Sequence, residues 1–236
     1  MLSDLPEPDA VALAHSERLQ AHIKERIAAA GGRISFADYM EQALYAPGLG
    51  YYSAGARKLG PEGDFVTAPE ISPLFSRCLA GPCAEVLDAL GGGSVIEPGA
   101  GSGIMAATML EKLAELDCLP DEYLIIETSA DLRERQADLL NERVPELVGR
   151  VRWLDGAPDA AIRGVIVANE VADALPVERF RIAPGRTEQA GVIVNKGALA
   201  MDYRPGAESL ERAIAALGAA GINLPNDYES ELSLRL

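Results

Sequence analysis

Cysteine and histidine are both scarce in this chain. Cys78, Cys83 and Cys118 form no C-x-x-C pair, and the two histidines, His15 and His22, fall on one predicted helix far away in sequence. That set lacks the ligand spacing of a zinc site, so no metal is expected. An odd, sparse cysteine count suits a reducing cytoplasm, where cysteine serves as a small buried hydrophobe. Long apolar runs are absent too, since none approaches the roughly 18 residues that a membrane helix needs. Residues 1–10 carry Asp4, Glu7 and Asp9 in place of a basic flank. The expectation is therefore a soluble, cytoplasmic protein with no signal or transit peptide and no membrane insertion. Basic residues are outnumbered, 21 against 36 acidic, for a formal net charge of −15. Such a field repels phosphate backbones and anionic lipid, which argues against nucleic acid as a partner. It would attract a cationic group on another protein, although solubility alone accounts for an acidic surface.

What is present is enough apolar material, 48% of 236 residues, for one principal core and a small appended lobe. Leu19, Ile23 and Ile27 recur at helical spacing and stop at Gly31 and Gly32. Ser35, three residues before Asp38, is an N-cap signal for a short helix ending near Leu44. Residues 45–69 lose the pattern and read as a long ordered loop anchored by Tyr45, Tyr51, Tyr52 and Phe65. Ser72 and Pro73 suit the N-cap and first position of the next helix, with a kink or break expected at Pro82 and an end near Leu90. Strand and helix signals then alternate: strand 94–97, helix from Ser102, strand 123–127, helix from Ser129, then strands 151–154 and 164–168. That order implies an α/β fold with a parallel sheet. Residues 178–204 read as a small antiparallel insertion, residues 210–217 as a last helix, and the tail from Gly221 is poorly patterned.

The strongest motif is Glu97-Pro98-Gly99-Ala100-Gly101-Ser102-Gly103, between a short apolar strand and a helical run. A strand, a glycine turn and a helix N-terminus form a cradle in which backbone can approach a ligand, because a Cβ there would clash. The dinucleotide fingerprint fits Gly101, Gly103 and Ala106, so an NAD reading stays open, as does a tight turn with no ligand. Glu127 ends the next strand, where the ribose hydroxyls of a Rossmann-bound cofactor are expected, or else it supports the following helix by its charge. Trp153 and Asp155 follow the third strand, where a side-chain oxygen could meet an adenine amino group. A core tryptophan and ordinary turn chemistry explain them equally. Asn169, Glu170 and Asp173 follow the fourth strand and are candidates for substrate handling, or a capped turn with solvated acids.

The E-x-G-x-G-x-G register resembles the first motif of class I methyltransferases, which use S-adenosyl-L-methionine. That cofactor carries an ammonium and a sulfonium, to which Glu97 beside the turn would be complementary. Several further segments resemble the MidA family in its order: residues 32–52 (GRISFADYMEQALYAPGLGYY), 63–75 (GDFVTAPEISPLF), the glycine motif, 123–136 (YLIIETSADLRERQ), 168–180 (ANEVADALPVERF) and 228–232. The resemblance implies a class I, Rossmann-like methyltransferase with an N-terminal helical extension and an antiparallel insertion. The implied divisions are residues 1–90 with a cofactor-covering loop, 91–177 as the cofactor core, and 178–236. It implies a protein methyltransferase related to mitochondrial proteins that modify an arginine of a respiratory complex I subunit. Within it, Glu97, Gly99, Gly101, Gly103, Glu127, Asp155, Thr67, Pro69 and Glu70 would contact the cofactor. Asn169 and Glu170 would border the acceptor, with Glu170 taking the proton from a guanidinium. Val171 and Ala172 depart from the larger residues the family resemblance leads one to expect.

Two other functions stay in view: an NAD-dependent oxidoreductase, and a fold-sharing assembly module without turnover. The count of four parallel strands leaves the sheet short of a methyltransferase sheet, so self-association through the fourth strand, or shielding of it by residues 178–204, is a further expectation.

Overall fold

The computed structural model describes residues 8–53, 66–158 and 160–234. The chain opens with helix α1 (Ala10–Ala29), strand β1 (Arg33–Ser35) and helix α2 (Phe36–Tyr45). A single turn α3 (Ala68–Ile71) and helix α4 (Pro73–Leu90) lead to strand β2 (Ser94–Pro98), helix α5 (Ile104–Glu115), strand β3 (Tyr123–Ile126) and helix α6 (Ala130–Arg143). Strands β4 (Val151–Leu154) and β5 (Gly164–Ile166) follow. Strands β6 (Glu178–Ala183), β7 (Arg186–Asn195) and β8 (Ala198–Pro205), helix α7 (Glu208–Ala219) and strand β9 (Glu229–Leu232) complete it. Among the described residues, no helix is long and apolar enough to cross a membrane.

The chain divides into two compact units, one of Ala56–Asp173, the other of Met1–Gly55 with Ala174–Leu236. The first holds a four-stranded parallel sheet in the order β4-β3-β2-β5. Its central strands are buried on both faces, as their near-continuous apolar sequence requires; Val95, Tyr123, Leu124 and Ile125 have no exposed surface. Helices α4 and α5 pack on each other, and Leu87, Met109, Leu110 and Leu113 join Val95 and Ile125 in one cluster. Each fully buried leucine there contributes about 1.5–3 kcal/mol of burial. Local signals set the helix ends. Ser72 Oγ accepts from the Leu74 N–H with Pro73 at the first position, and Gly91, in the left-handed conformation at φ 69°, closes α4. Ser129 Oγ likewise accepts from the Leu132 N–H at the start of α6.

The second unit is a five-stranded antiparallel sheet in the order β1-β7-β6-β9, with β8 paired to β7. Ile23 and Ile27 of α1 pack with Ile34 and Val192. Arg33 donates to the Gln189 carbonyl at 3.0 Å, joining residues 156 apart in the chain.

Several expectations need correction. Residues 178–204 form antiparallel strands as expected, but their sheet is larger, because β1 from the N-terminal part and β9 from the tail pair with β7 and β6. The three consecutive divisions give way to one unit built from both ends of the chain and one built from its middle, with α4 in the latter. The tail after Gly221 contains β9 where no pattern was expected. Helix α4 continues through Pro82 without a break. Its buried stripe Ser76, Ala80, Cys83, Leu87 runs unbroken across the proline, so packing outweighs the one lost N–H. Within the expected loop 45–69, a helical turn already begins at Ala68; Phe65 lies outside the described residues.

Gly164 is where β5 meets β2. A Cβ there would stand 1.8 Å from the Ser94 carbonyl oxygen, and φ is +157°. Gly164→Ala is therefore expected to lower the unfolding free energy by roughly 2–4 kcal/mol in urea denaturation. A loss below about 0.5 kcal/mol would mean that β5 does not lie this close to β2.

Candidate cofactor-binding site

The register of the parallel sheet determines which residues meet. Pro98 pairs with Ile126, Ile126 with Leu154, and Ile96 with Ile166. The residues just past those positions, Gly99, Glu127 and Asp155, therefore stand in a row at the carboxyl ends of adjacent strands, about 4.8 Å per strand. Asn169 and Glu170 follow β5 at the same end. Open α/β sheets bind ligands at this edge. A cavity of about 720 Å³ is lined among others by Gly93, Ser94, Asp121, Arg152 and Arg163; it reaches the edge only at Leu154 and Asp155 and touches no residue of the glycine turn.

The turn after β2 has the backbone that its glycines allow. Gly99, Gly101 and Gly103 lie at φ 63°, 57° and 87°. Gly101 is the turn's partly exposed glycine, and left-handed backbone is strained for a branched residue. Gly103 has another reason to lack a side chain: a Cβ there would stand 3.3 Å from Cα and Cγ of Gln136. Residues 97–104 carry no basic side chain. Glu70, in the single turn α3, accepts from the Ser102 hydroxyl and so places a carboxylate against the glycine turn.

Glu127 is 9% exposed. One carboxylate oxygen accepts from the Ser129 N–H at 2.9 Å and the other from the Gln136 amide at 3.4 Å. Among the described residues no cation pairs with it, so its oxygens keep acceptor capacity suited to a pair of hydroxyls. Asp155 stands differently. Its side chain is 94% exposed and is bound by Arg133 at 2.7 Å. Arg133 also donates to the carbonyls of Glu127 at 2.6 Å and Leu154 at 2.8 Å, tying the end of β3 to the end of β4. Trp153 turns inward, and its indole N–H donates to Gln136 at 2.8 Å.

Glu97 is turned away from the role its sequence position suggests. It is 1% exposed, and its carboxyl accepts from the Tyr123 hydroxyl at 2.5 Å within the core. Burial pushes its pKa up to about 7, only partly opposed by the Tyr123 hydrogen bond. Burial, with the adjoining Glu97, also raises the Tyr123 phenol well above its ordinary value. The pair thus braces β2 against β3 beneath the turn.

Of the remaining candidates, Thr67 is the N-cap of α3, with no side-chain cap bond, and Pro69 is buried. Gly63, Asp64 and Phe65 of the expected covering loop lie outside the described residues. Asn169 is half-buried and Glu170 exposed, and neither makes a hydrogen bond among the described residues. Glu170 has φ +53°, an uncommon backbone for a residue with a side chain. Asp173 is exposed in a short 3-10 turn. Three residues that the sequence did not single out belong to the site: Tyr123, Arg133 and Gln136. The one available signal was the i, i+4, i+7 spacing of Ser129, Arg133 and Gln136, which puts Arg133 and Gln136 on the face of α6 that starts at its N-cap Ser129.

The buried Glu97 carboxyl generates a pH prediction. Its folded pKa of about 7 exceeds the ordinary 4.5, so the folded state holds the extra proton between those values. Wild-type stability from this group is therefore full below pH 4.5 and falls as the pH rises to about 7. Glu97→Gln lacks that slope. In urea denaturation at pH 4.5 and 7.5, its stability relative to wild type should improve at the higher pH by roughly 3 kcal/mol at most, at about 1.4 kcal/mol per pKa unit. Equal differences at both pH values would contradict the buried pairing.

Residues 78–236 match a family described as "Putative S-adenosyl-L-methionine-dependent methyltransferase". The chain is 31% identical over 184 residues to the mitochondrial protein arginine methyltransferase NDUFAF7 of Danio rerio, covering 68% of this chain and 43% of that protein. For the Homo sapiens protein of the same name the figures are 30% over 178 residues, 65% and 40%. Among solved structures, a Burkholderia thailandensis protein bound to S-adenosyl-homocysteine is 46% identical, with a TM-score of 0.82 over 97% of this chain and 59% of that one. The chain thus spans less than half the length of these curated relatives. The fold, the glycine turn and these similarities bear out the MidA resemblance and its cofactor, S-adenosylmethionine. The chain belongs to the family of S-adenosyl-L-methionine-dependent methyltransferases.

Proposed function

We propose that this chain binds S-adenosylmethionine at the carboxyl edge of its parallel sheet and transfers the methyl group to an arginine of another protein. The bare turn of Gly99, Gly101 and Gly103 would admit the cofactor, Glu127 would take the ribose hydroxyls, and Glu70 and Ser102 would stand beside the turn. This acidic surrounding suits a sulfonium and an ammonium. It does not suit a pyrophosphate, for which the turn offers no cation, so the oxidoreductase alternative loses its support. When bound, the cofactor supplies a methyl group made electrophilic by its positive sulfur.

The observation that carries the acceptor assignment is Glu170, an exposed carboxylate without a partner among the described residues, held on a left-handed backbone just past β5. A guanidinium has a pKa above 12 and needs its charge localised before one nitrogen can act as a nucleophile. Glu170 would hold the guanidinium by a charge-assisted hydrogen bond and accept the proton as the nitrogen is methylated. Asn169, beside it, would orient the same group. The names of the NDUFAF7 relatives and the net charge of −15, which attracts cationic protein segments, support the same acceptor.

Two measurements test the proposal together. S-adenosyl-homocysteine should raise the apparent stability by about 2.7 kcal/mol at a hundredfold excess over its Kd, whereas NAD should have no effect. With a radiolabelled methyl donor, label should appear on arginine in acceptor protein. Glu170→Gln should lower that transfer at least a hundredfold while leaving S-adenosyl-homocysteine affinity unchanged. Stabilisation by NAD alone would end the methyltransferase reading; cofactor binding with no transfer to any protein would favour a binding module instead.

A further inference from the structure

Helix α6 is the most polar helix of its unit, and of its fourteen residues only Gln136 and Leu140 are buried. Gln136 has no exposed surface. An apolar residue would fill that position equally well by volume, so the amide must be explained by its bonds. They number three and reach three different strand ends. The amide nitrogen donates to the Gly101 carbonyl at 3.0 Å and toward the Glu127 carboxylate at 3.4 Å, while the amide oxygen accepts from the Trp153 indole at 2.8 Å.

The orientation of that amide is decided by its surroundings. An indole N–H can only donate, and a carbonyl or carboxylate oxygen can only accept. Turning the amide over would set its oxygen against two acceptors and its nitrogen against the indole N–H, losing all three contacts. Trp153 therefore selects the orientation in which both amide hydrogens face the turn and Glu127. Gly103 makes the approach possible, since a Cβ there would press on Gln136 Cα and Cγ at 3.3 Å.

We propose that Gln136 is the positioning residue of the cofactor site. Its amide, oriented by Trp153, holds the Glu127 carboxylate and the Gly101 carbonyl in the arrangement that receives a nucleoside. This rests on the reading of Glu127 as the acceptor for the ribose hydroxyls. Gln136 touches no reacting atom and acts through Glu127, so its effect should be greatest on the part of the ligand that Glu127 meets.

The test uses calorimetric affinities of the 236-residue chain for S-adenosyl-homocysteine and for its 2′,3′-dideoxy analogue. The ratio of the two measures ribose recognition. Glu127→Ala should bring the ratio close to one. Gln136→Met, of similar volume, should lower the ratio at least fivefold, whereas a merely structural role would weaken both ligands equally and leave it unchanged. Trp153→Phe, which keeps the glutamine but removes the donor that orients it, should lower the ratio about threefold. In the Gln136→Met background it should add nothing. Trp153→Phe also serves where Gln136→Met fails to fold. A ratio that collapses in Glu127→Ala but stays at the wild-type value in Gln136→Met and Trp153→Phe would overturn the role of Gln136 alone. A wild-type ratio near one, or no binding of S-adenosyl-homocysteine, would overturn the ribose reading and this inference with it.

Discussion

The site depends on one close approach: the turn after β2 lies so near α6 that Gly103 cannot carry a side chain without pressing on Gln136. Other features of the carboxyl edge follow from it. Because helix and turn are in contact, a buried amide can bridge them, and that amide reaches Glu127 on β3 and Trp153 on β4. Arg133, one turn earlier on the same helix, ties the carbonyls that end β3 and β4. Three successive strand ends are thus fixed from a single helix face. A binding edge needs such support, because a ligand that must itself order the loops loses affinity to their conformational entropy.

The acidic residues around the turn divide into different tasks by environment. Glu97 is sealed in the core with Tyr123, and burial raises its pKa to about 7. It braces the sheet. The Glu127 carboxylate, among the described residues, accepts only from the Ser129 N–H and the Gln136 amide and retains acceptor capacity. Asp155 is nearly fully exposed and held by Arg133, so it serves the connection between strands. Three carboxyl groups near three strand ends look equivalent in one dimension and are separated by burial and by partners in three.

Much of the cofactor half was legible in the sequence because its signals are local. Ser35 and Ser72 cap the helices they were expected to cap, and the strand, turn and helix around Gly101 follow from adjacent residues. The direction of Glu97 was not legible, since β2 is buried on both faces and alternation cannot say which face a given side chain takes. Strands β1 and β9 were missed for another reason: each is three or four residues long and exists through pairing with β7 or β6 far away in the chain. Gln136 was hidden because a glutamine in a polar helix reads as a solvent-facing residue. Its burial depends on the bare backbone of Gly103, 33 positions earlier by number.

The proposed nucleoside-binding site is the edge formed by Gly101, Glu127 and Gln136. A crystal structure of this chain with S-adenosyl-homocysteine tests it most directly. The expected result is the ribose hydroxyls within hydrogen-bond distance of Glu127, the ligand backed by the turn at Gly101, and the Gln136 amide still bonded to Trp153. Ligand density in the cavity beside Gly93 and Arg163, with the Glu127 carboxylate unoccupied, would contradict it.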